Sequence, residues 1–284
     1  MLRNDALNFA LTNRIPRAAA TRFIGWFSQI EQPLVRDVSI ALWRAFSGLD
    51  LSEAKKTRFR SMHDCFVREL RDGARPIDAD PLTLVSPCDA IVGACGAIDG
   101  DTLLQAKGMR YTLFDLLDDA ALAAHYHDGS YVTLRITASM YHRFHAPFDG
   151  IVEHVAYFPG DTWNVNPPAL ARVDKLFCRN ERAALTLRLA GGGPRITLVP
   201  VAAILVASLR LHCLNLLLHA GYRGARHIAC NARVRKGEEM GWFQHGSTII
   251  VLAPAGVTLV PGATTGNRIR VGEALFALPA TSGN

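Results

Sequence analysis

The sequence predicts an α+β protein in which a β-rich, barrel-like sandwich core carries N-terminal amphipathic helices. Three observations predict it. Apolar and aromatic residues recur at helical spacing through the first sixty residues. From about Leu82 the pattern changes to short β-rich runs bounded by Gly, Pro and Asp. A faint internal repeat, Ser-Pro-Cys-Asp-Ala-Ile-Val at Ser86 and Ala-Pro-Phe-Asp-Gly-Ile-Val at Ala146, places a Pro/Asp turn before a strand twice over.

In the N-terminal part, Phe23, Ile24, Trp26, Phe27, Ile30, Leu34, Val35, Ile40, Leu42, Trp43 and Phe46 carry the helical period, and Pro16 and Pro33 divide it into short helices. Arg14, Arg17, Arg22, Arg36 and Arg44 punctuate the run. Trp and Phe beside Arg suit a helix lying in a lipid headgroup layer, with guanidinium groups at phosphate level. A helix packed on the protein's own core has the same pattern, and spacing alone does not choose between them.

Further along, strands are expected at Ala90–Gly96, Tyr131–Ile136, Gly150–Phe158, Ala184–Leu189, Ile196–Val206, Thr248–Ala253, Val257–Val260 and Leu275–Leu278, with a short helix over Lys107–Asp119. The apolar stretch Leu198–Leu218 is interrupted by Pro200, Arg210, His212 and Asn215, so it reads as buried strands and not as a spanning helix.

Composition narrows the function classes. A chain of 284 residues is long enough for a substantial core in one large domain or two smaller ones, and its formal charge of +6 favours an anionic partner. No aromatic-basic RNA-binding signature or recognition helix is visible, which sets nucleic acid aside in favour of an anionic membrane. Cys65, Cys88, Cys95, Cys178, Cys213 and Cys230 form no Cys-x-x-Cys pair and read as reduced thiols of a cytosol-facing protein. His125 and His127 could share a metal on one side of a strand, but they read as a solvated loop before Asp128 and Gly129, and no metal is expected.

The chemistry concentrates in Gly246, Ser247 and Thr248, directly before the apolar run Ile249–Ala253. A glycine carbonyl has no Cβ to shield it, so the next serine can turn its Oγ onto that carbonyl when a base takes the proton. An ester then replaces the amide. Elimination releases the upstream chain, and hydrolysis of the resulting dehydroalanine leaves a pyruvoyl group, an electron sink that can condense with a substrate amine as carbon dioxide departs. The residues such a step needs are present. Tyr141-His142-Arg143-Phe144-His145 supplies two imidazoles, and Ser86-Pro87-Cys88-Asp89 supplies a carboxylate to orient one of them. Asp89 could equally be a turn former, the role expected of its repeat counterpart Asp149.

These residues carry a family resemblance. The chain resembles the bacterial, membrane-associated phosphatidylserine decarboxylases through Phe66-Val67-Arg68-Glu69-Leu70-Arg71-Asp72, Arg75-Pro76-Ile77-Asp78, Pro87-Cys88-Asp89, Gln105-Ala106-Lys107-Gly108, Tyr141–His145, Pro159-Gly160-Asp161, Phe177 with Arg179-Asn180-Glu181-Arg182, and Gly246-Ser247-Thr248. The resemblance implies that Ser247 becomes the covalent pyruvoyl cofactor, that Asp89, His145 and Ser247 form the processing relay, and that His142 serves decarboxylation of phosphatidylserine through a Schiff base. It departs from the family at His245, where leucine is frequent, which bears on the rate and pH dependence of cleavage. It implies a 1–62 membrane-associating region and a 63–284 decarboxylase domain cut between 246 and 247. The pieces would be a large β subunit and a small α subunit that stay together, in a homo-oligomer at the cytoplasmic face of the cell membrane. The arginine-rich N-terminus, which also looks like a transit peptide, reads as mature protein because the resemblance extends into it. Arg143 and Tyr141 are candidate substrate contacts, Arg143 as a phosphate or carboxylate clamp. Two competing readings use the same residues: a serine hydrolase built on Asp89, His145 and Ser247, although no Gly-x-Ser-x-Gly elbow is present, and a noncatalytic lipid-binding sandwich.

Overall fold

Thr248–Ala253 is the strand on which the fold is organised. Its β-branched residues favour extended backbone, and all six of its residues are buried, so the sheet that contains it must be covered on both faces. In the computed structural model, which describes Asp5, Phe9, Asn13 and residues 15–106, 108–204, 208–219, 221–244 and 248–279, this strand pairs antiparallel with Arg195–Val201 on one side and Ser130–Arg135 on the other. The eight-stranded sheet runs in the order His227–Val234, Gly150–Phe158, Arg182–Leu189, Arg195–Val201, Thr248–Ala253, Ser130–Arg135, Ala90–Ala97, Arg268–Ile269.

A four-stranded sheet, Leu216–His219, Ser208–Leu211, Glu239–Phe243, Arg143–His145, contributes to the same core. Its Phe144, Leu209, Leu211, Leu218 and Phe243 belong to one apolar cluster with Val152, Leu185, Leu198 and Ile250 of the large sheet. The result is α+β and sandwich-like, and none of the sheets closes into a barrel. Phe243 ends a strand of the smaller sheet and Thr248 begins one of the larger, so the candidate cleavage tripeptide lies where the chain passes from one sheet to the other.

Most expected strands are found, two with the expected bounds: Gly150–Phe158 and Thr248–Ala253. The expected strand Ile196–Val206 ends at Val201, with Leu205 and Val206 outside the described residues. Lys107–Asp119 is not one helix. Met109–Thr112 forms a hairpin with Thr102–Ala106, turning at Gly108, whose φ of 79° suits glycine, and only Leu113–Leu117 is helical. Its start is fixed by a Thr112/Asp115 capping box. His125 closes a second short helix, Ala120–His125, rather than lying in a loop.

The two repeat turns are joined to each other. Val85 N–H donates to the Pro147 carbonyl at 2.9 Å and His145 N–H to the Pro87 carbonyl at 2.8 Å. That reciprocal pair carries Asp89 and His145 into one neighbourhood from 56 residues apart in sequence.

Upstream, Arg17–Phe27 and Pro33–Ser47 are helices. Pro33 occupies the first turn, the Gln32 side chain accepts from Val35 N–H at 2.7 Å, and Gly48 closes the helix in the left-handed conformation. Ile40 and Trp43 pack on a small cluster of Leu49, Ala54, Phe59 and Cys65. Leu34, Val38, Leu42 and Phe46, spaced four apart, stay exposed, Phe46 at 87%. No helix among the described residues is long and apolar enough to cross a membrane.

The Pro159-Gly160-Asp161 and Arg179–Arg182 motifs explain each other. Asp161 N–H donates to the Arg179 carbonyl and Glu181 N–H to the Asp161 carbonyl. A Cβ on Gly160 would lie 2.5 Å from the Arg179 carbonyl oxygen and 2.7 Å from Glu181 N. Gly160→Ala should therefore lose about 1–3 kcal/mol of stability through forced backbone displacement, read as a melting temperature lowered by several degrees; an unchanged melting temperature would contradict this packing.

Candidate active site

His145 lies on the short strand Arg143–His145, and its imidazole is held at both nitrogens. Nδ1 is 2.8 Å from the Gly237 carbonyl oxygen, and Nε2 is 3.1 Å from the Tyr141 hydroxyl. A carbonyl can only accept, so Nδ1 carries the proton and Nε2 presents its lone pair. Burial, the largest influence on the ring, lowers its proton affinity, with Gly237, Glu239 and Asp89 pulling the other way. His145 is thus a neutral imidazole whose basic nitrogen is Nε2.

Asp89 is buried at 8% exposure and is gripped by Arg75: Nε lies 2.9 Å from Oδ1 and Nη2 lies 2.5 Å from Oδ2. Val271 N–H donates to Oδ1 at 3.0 Å. Arg75 also reaches Glu53 at 2.9 Å. Asp89 therefore influences His145 through space, while the direct partners of the imidazole are Gly237 and Tyr141; the bidentate guanidinium fork takes the carboxylate that the sequence reading had placed on the histidine. Asp149, the repeat counterpart of Asp89, accepts Lys236 N–H at 2.7 Å and so ties its bend to a segment 87 residues further on. Arg75 stood inside a recognised motif, but nothing in its spacing announced this partner.

His142 is fully buried with its ring against Phe66, centroids 3.9 Å apart, and Phe66 stacks on Trp43 at 5.4 Å. The N-terminal helical region thereby reaches a candidate catalytic residue through two aromatic contacts. Arg143 is not a free clamp. Its guanidinium bonds Glu239 at 2.8 Å and the Val67 carbonyl at 2.9 Å, with Glu69 at 3.6 Å. Glu239 in turn accepts His212 Nε2 at 2.8 Å. These internal partners engage the guanidinium that the sequence offers to substrate. Tyr141 remains beside His145, and a polar cavity of about 350 Å3 is lined by Tyr141, Asp89, Arg68, Arg75, Arg268 and Arg270.

A second, mostly apolar cavity of about 460 Å3 is lined by Thr248, the residue after Ser247. The Thr248 hydroxyl is buried there with no hydrogen-bond partner among the described residues. His245, Gly246 and Ser247 lie outside the described residues, as does Lys107. Gln105, next to Lys107, is structural: its amide holds the carbonyls of Leu170 and Val173 and accepts Leu176 N–H. No group of three or more His, Cys, Asp or Glu side chains among the described residues is placed to hold a metal, and all six cysteines are free thiols.

The phosphatidylserine decarboxylase family profile matches residues 62–277, from the helix that contains Phe66 through the last strand. The chain belongs to that family. Proteins named phosphatidylserine decarboxylase proenzyme are similar over nearly its whole length. That of Erwinia tasmaniensis is 34% identical, covering 95% of this chain and 94% of its own. That of Anaeromyxobacter is 36% identical, covering 96% and 98%, and that of Halorhodospira halophila is 38% identical, covering 81% and 80%. The family motifs now divide by what they touch. Asp89 and Tyr141 line the polar cavity and His145 bonds Tyr141, whereas Asn180 and Arg182 hold main-chain carbonyls at Trp163, Ala202 and Leu116.

Glu181, between them, is a decarboxylase-family residue whose state the sequence did not reveal. It is buried at 5% exposure, and its Oε1 lies 2.8 Å from the Tyr157 hydroxyl, which is also 3.0 Å from the His219 carbonyl. The Tyr157 hydroxyl donates to Glu181 Oε1 and lowers the proton affinity of the Glu181 carboxyl, opposing the larger effect of burial. Burial pushes its pKa from 4.5 to about 7.

Two pH predictions follow from these groups. The unfolded carboxyl ionises near 4.5 while the folded one keeps its proton to about 7, so wild-type stability should fall relative to Glu181→Gln as pH rises across that window, by about 3 kcal/mol in total, and then level off. Parallel urea titrations at pH 4.5 and 8 check this, and a constant difference between the two proteins would contradict it. For His145, whose folded value lies below the usual imidazole range, chain cleavage should proceed at a constant rate above about pH 7 and slow as acid protonates Nε2. A cleavage rate that rises below pH 6 would remove the imidazole from the base role.

Proposed function

We propose that the chain is a self-processing proenzyme that decarboxylates phosphatidylserine to phosphatidylethanolamine with a pyruvoyl group made from Ser247. The observation that carries this reading is the buried neutral imidazole of His145, with Nε2 left basic by the Nδ1–Gly237 bond. In processing, Ser247 gives its proton to His145 and its Oγ attacks the Gly246 carbonyl, so that a C–O bond forms and the peptide C–N bond breaks. Loss of the Ser247 α-proton and departure of the Gly246 carboxylate leave dehydroalanine, and water displaces ammonia to give the ketone. Asp89, held by Arg75, raises the proton affinity of the nearby imidazole and so steadies the imidazolium as it forms.

The residues fit the group. Strand pairing on both sides of Thr248–Ala253 holds the new terminus in place, and the Thr248 hydroxyl offers an uncommitted polar contact beside it. The pyruvoyl group supplies an electron sink for the departing carboxylate's electrons. Around it, Tyr141 orients His145, and His142, packed on Phe66, supplies the proton that takes the place of carbon dioxide. Residues 1–246 and 247–284 are the β and α subunits, and residues 1–62 form the membrane-associating region ahead of the 63–284 decarboxylase domain.

The chain docks on an anionic membrane surface as a peripheral protein. The exposed stripe Leu34, Val38, Leu42 and Phe46, with Phe23 and Trp26 on the preceding helix, supplies apolar contacts that the protein's own core leaves uncovered. Leu42→Ser with Phe46→Ser should weaken co-sedimentation with anionic vesicles at least severalfold while leaving chain cleavage intact; unchanged sedimentation would remove this face from the membrane.

The activity test is conversion of phosphatidylserine in mixed micelles, read as phosphatidylethanolamine formed. Wild type should convert it, Ser247→Ala should remain one uncut, inactive chain, and His142→Ala should be cut yet inactive. An uncut wild type with esterase activity would instead favour a serine hydrolase, and an uncut wild type that binds vesicles without changing their lipids would favour a noncatalytic lipid-binding sandwich.

A further inference from the structure

Ser130–Arg135 runs beside the strand that follows the proposed cut, with Arg135 directly opposite Thr248. Alternate residues of a strand share a face, and Tyr131, Thr133 and Arg135 all line the 460 Å3 cavity that Thr248 also lines. Leu104, Leu170 and Phe177 give that cavity an apolar wall. Among its described lining residues Arg135 is the one charged side chain.

Arginine in an apolar, half-buried position ordinarily has a carboxylate beside it. Here burial alone acts on the guanidinium, lowering its proton affinity, and no acidic group raises it. Every Asp and Glu of the chain falls within the described residues, so the sequence holds no further acidic side chain to pair with it. Three of the four arginines of the polar cavity differ. Arg75 is shared by Asp89 and Glu53, Arg270 lies 3.5 Å from Glu53, and Arg68 is spent on the carbonyls of Ser139 and Met140.

We infer that the cavity beside Thr248 is the lipid-binding site and that Arg135 anchors the phosphodiester of the glycerophospholipid, with the apolar wall taking its glycerol and proximal acyl carbons. This inference rests on the decarboxylase reading and names the substrate contact within it. The phosphodiester is the better of the substrate's two anions for this cation. An arginine paired with the carboxylate would stabilise the charge that must disappear on decarboxylation and so raise the barrier, whereas the phosphodiester keeps its charge throughout. A guanidinium pairs with phosphate oxygens through two parallel N–H donors. A volume of 460 Å3 lies within the range of about 300–1,000 Å3 common to ligand sites.

The test combines kinetics with a measurement on the unaltered chain. Arg135→Gln should be cleaved like wild type, raise KM for phosphatidylserine at least tenfold and leave kcat within about threefold, and Arg135→Lys should recover part of the loss. In wild type, dioleoylphosphatidylglycerol in detergent micelles should protect Arg135 from phenylglyoxal, read by peptide mass, whereas dioleoylglycerol or inorganic phosphate should not. Unchanged KM, a loss confined to kcat, or no protection by phosphatidylglycerol would overturn the inference, as would equal protection by inorganic phosphate, which would mark a general anion site. If Arg135→Gln fails to fold or to cleave, the protection measurement decides alone. Protection in a wild type that forms no phosphatidylethanolamine would retain the lipid site and remove the decarboxylase reading; activity without protection would do the reverse.

Discussion

The pairing of Thr248–Ala253 on both edges is the constraint on which the rest depends. A strand buried on both faces and bonded on both sides needs no covalent link at its N-terminus to stay in place. Burial of Ile249, Ile250, Val251 and Leu252 alone contributes roughly 6–12 kcal/mol before any ladder hydrogen bond is counted. Withdrawing the strand would also leave main-chain groups unpaired on two neighbours. A cut between Gly246 and Ser247, one residue ahead of this strand, therefore leaves the strand held, which is the condition a self-cutting enzyme has to meet. The same strand brings Thr248 to the wall of the apolar cavity.

Elsewhere, polar side chains are arranged in sets. Arg75 joins Asp89 to Glu53, and Glu239 joins Arg143 to His212. Removing Arg75 would leave the buried Asp89 without its cation. His145 stands beside both sets but is itself uncharged, held by a carbonyl and a phenol. A base prepared in this way takes a proton from a nearby hydroxyl without first giving one up. The contacts Trp43–Phe66–His142 connect this region to the helices whose outer faces are apolar, so the proposed lipid-contacting face and the proposed proton donor are linked by packing.

Thr248–Ala253 was legible because a strand covered on both faces shows an apolar run, and Gly150–Phe158 because its β-branched and aromatic residues follow a Pro/Asp turn signal, visible locally. The hairpin at Met109 was not, because four residues are too short for either period to declare itself and the helix that follows extended the apparent helical pattern. Asp89 and His145 stood out because each lies in or beside a local motif, Asp89 within the first copy of the repeat and His145 directly before the second. Their actual partners, Arg75 and Gly237, come from other segments and depend on how those segments pack. The same holds for Glu181, whose proton is retained because two sheets bury it against Tyr157, and for Arg135, where the telling feature is a missing partner.

The central claim is that the chain cuts itself between Gly246 and Ser247 and keeps both pieces. Intact mass measurement of the purified protein under denaturing conditions, with and without borohydride, tests it most directly. The account predicts two masses dividing at Gly246, the smaller beginning with a pyruvoyl group in place of Ser247 and gaining two hydrogens on reduction. A single mass for the full chain, unchanged by borohydride, would contradict it.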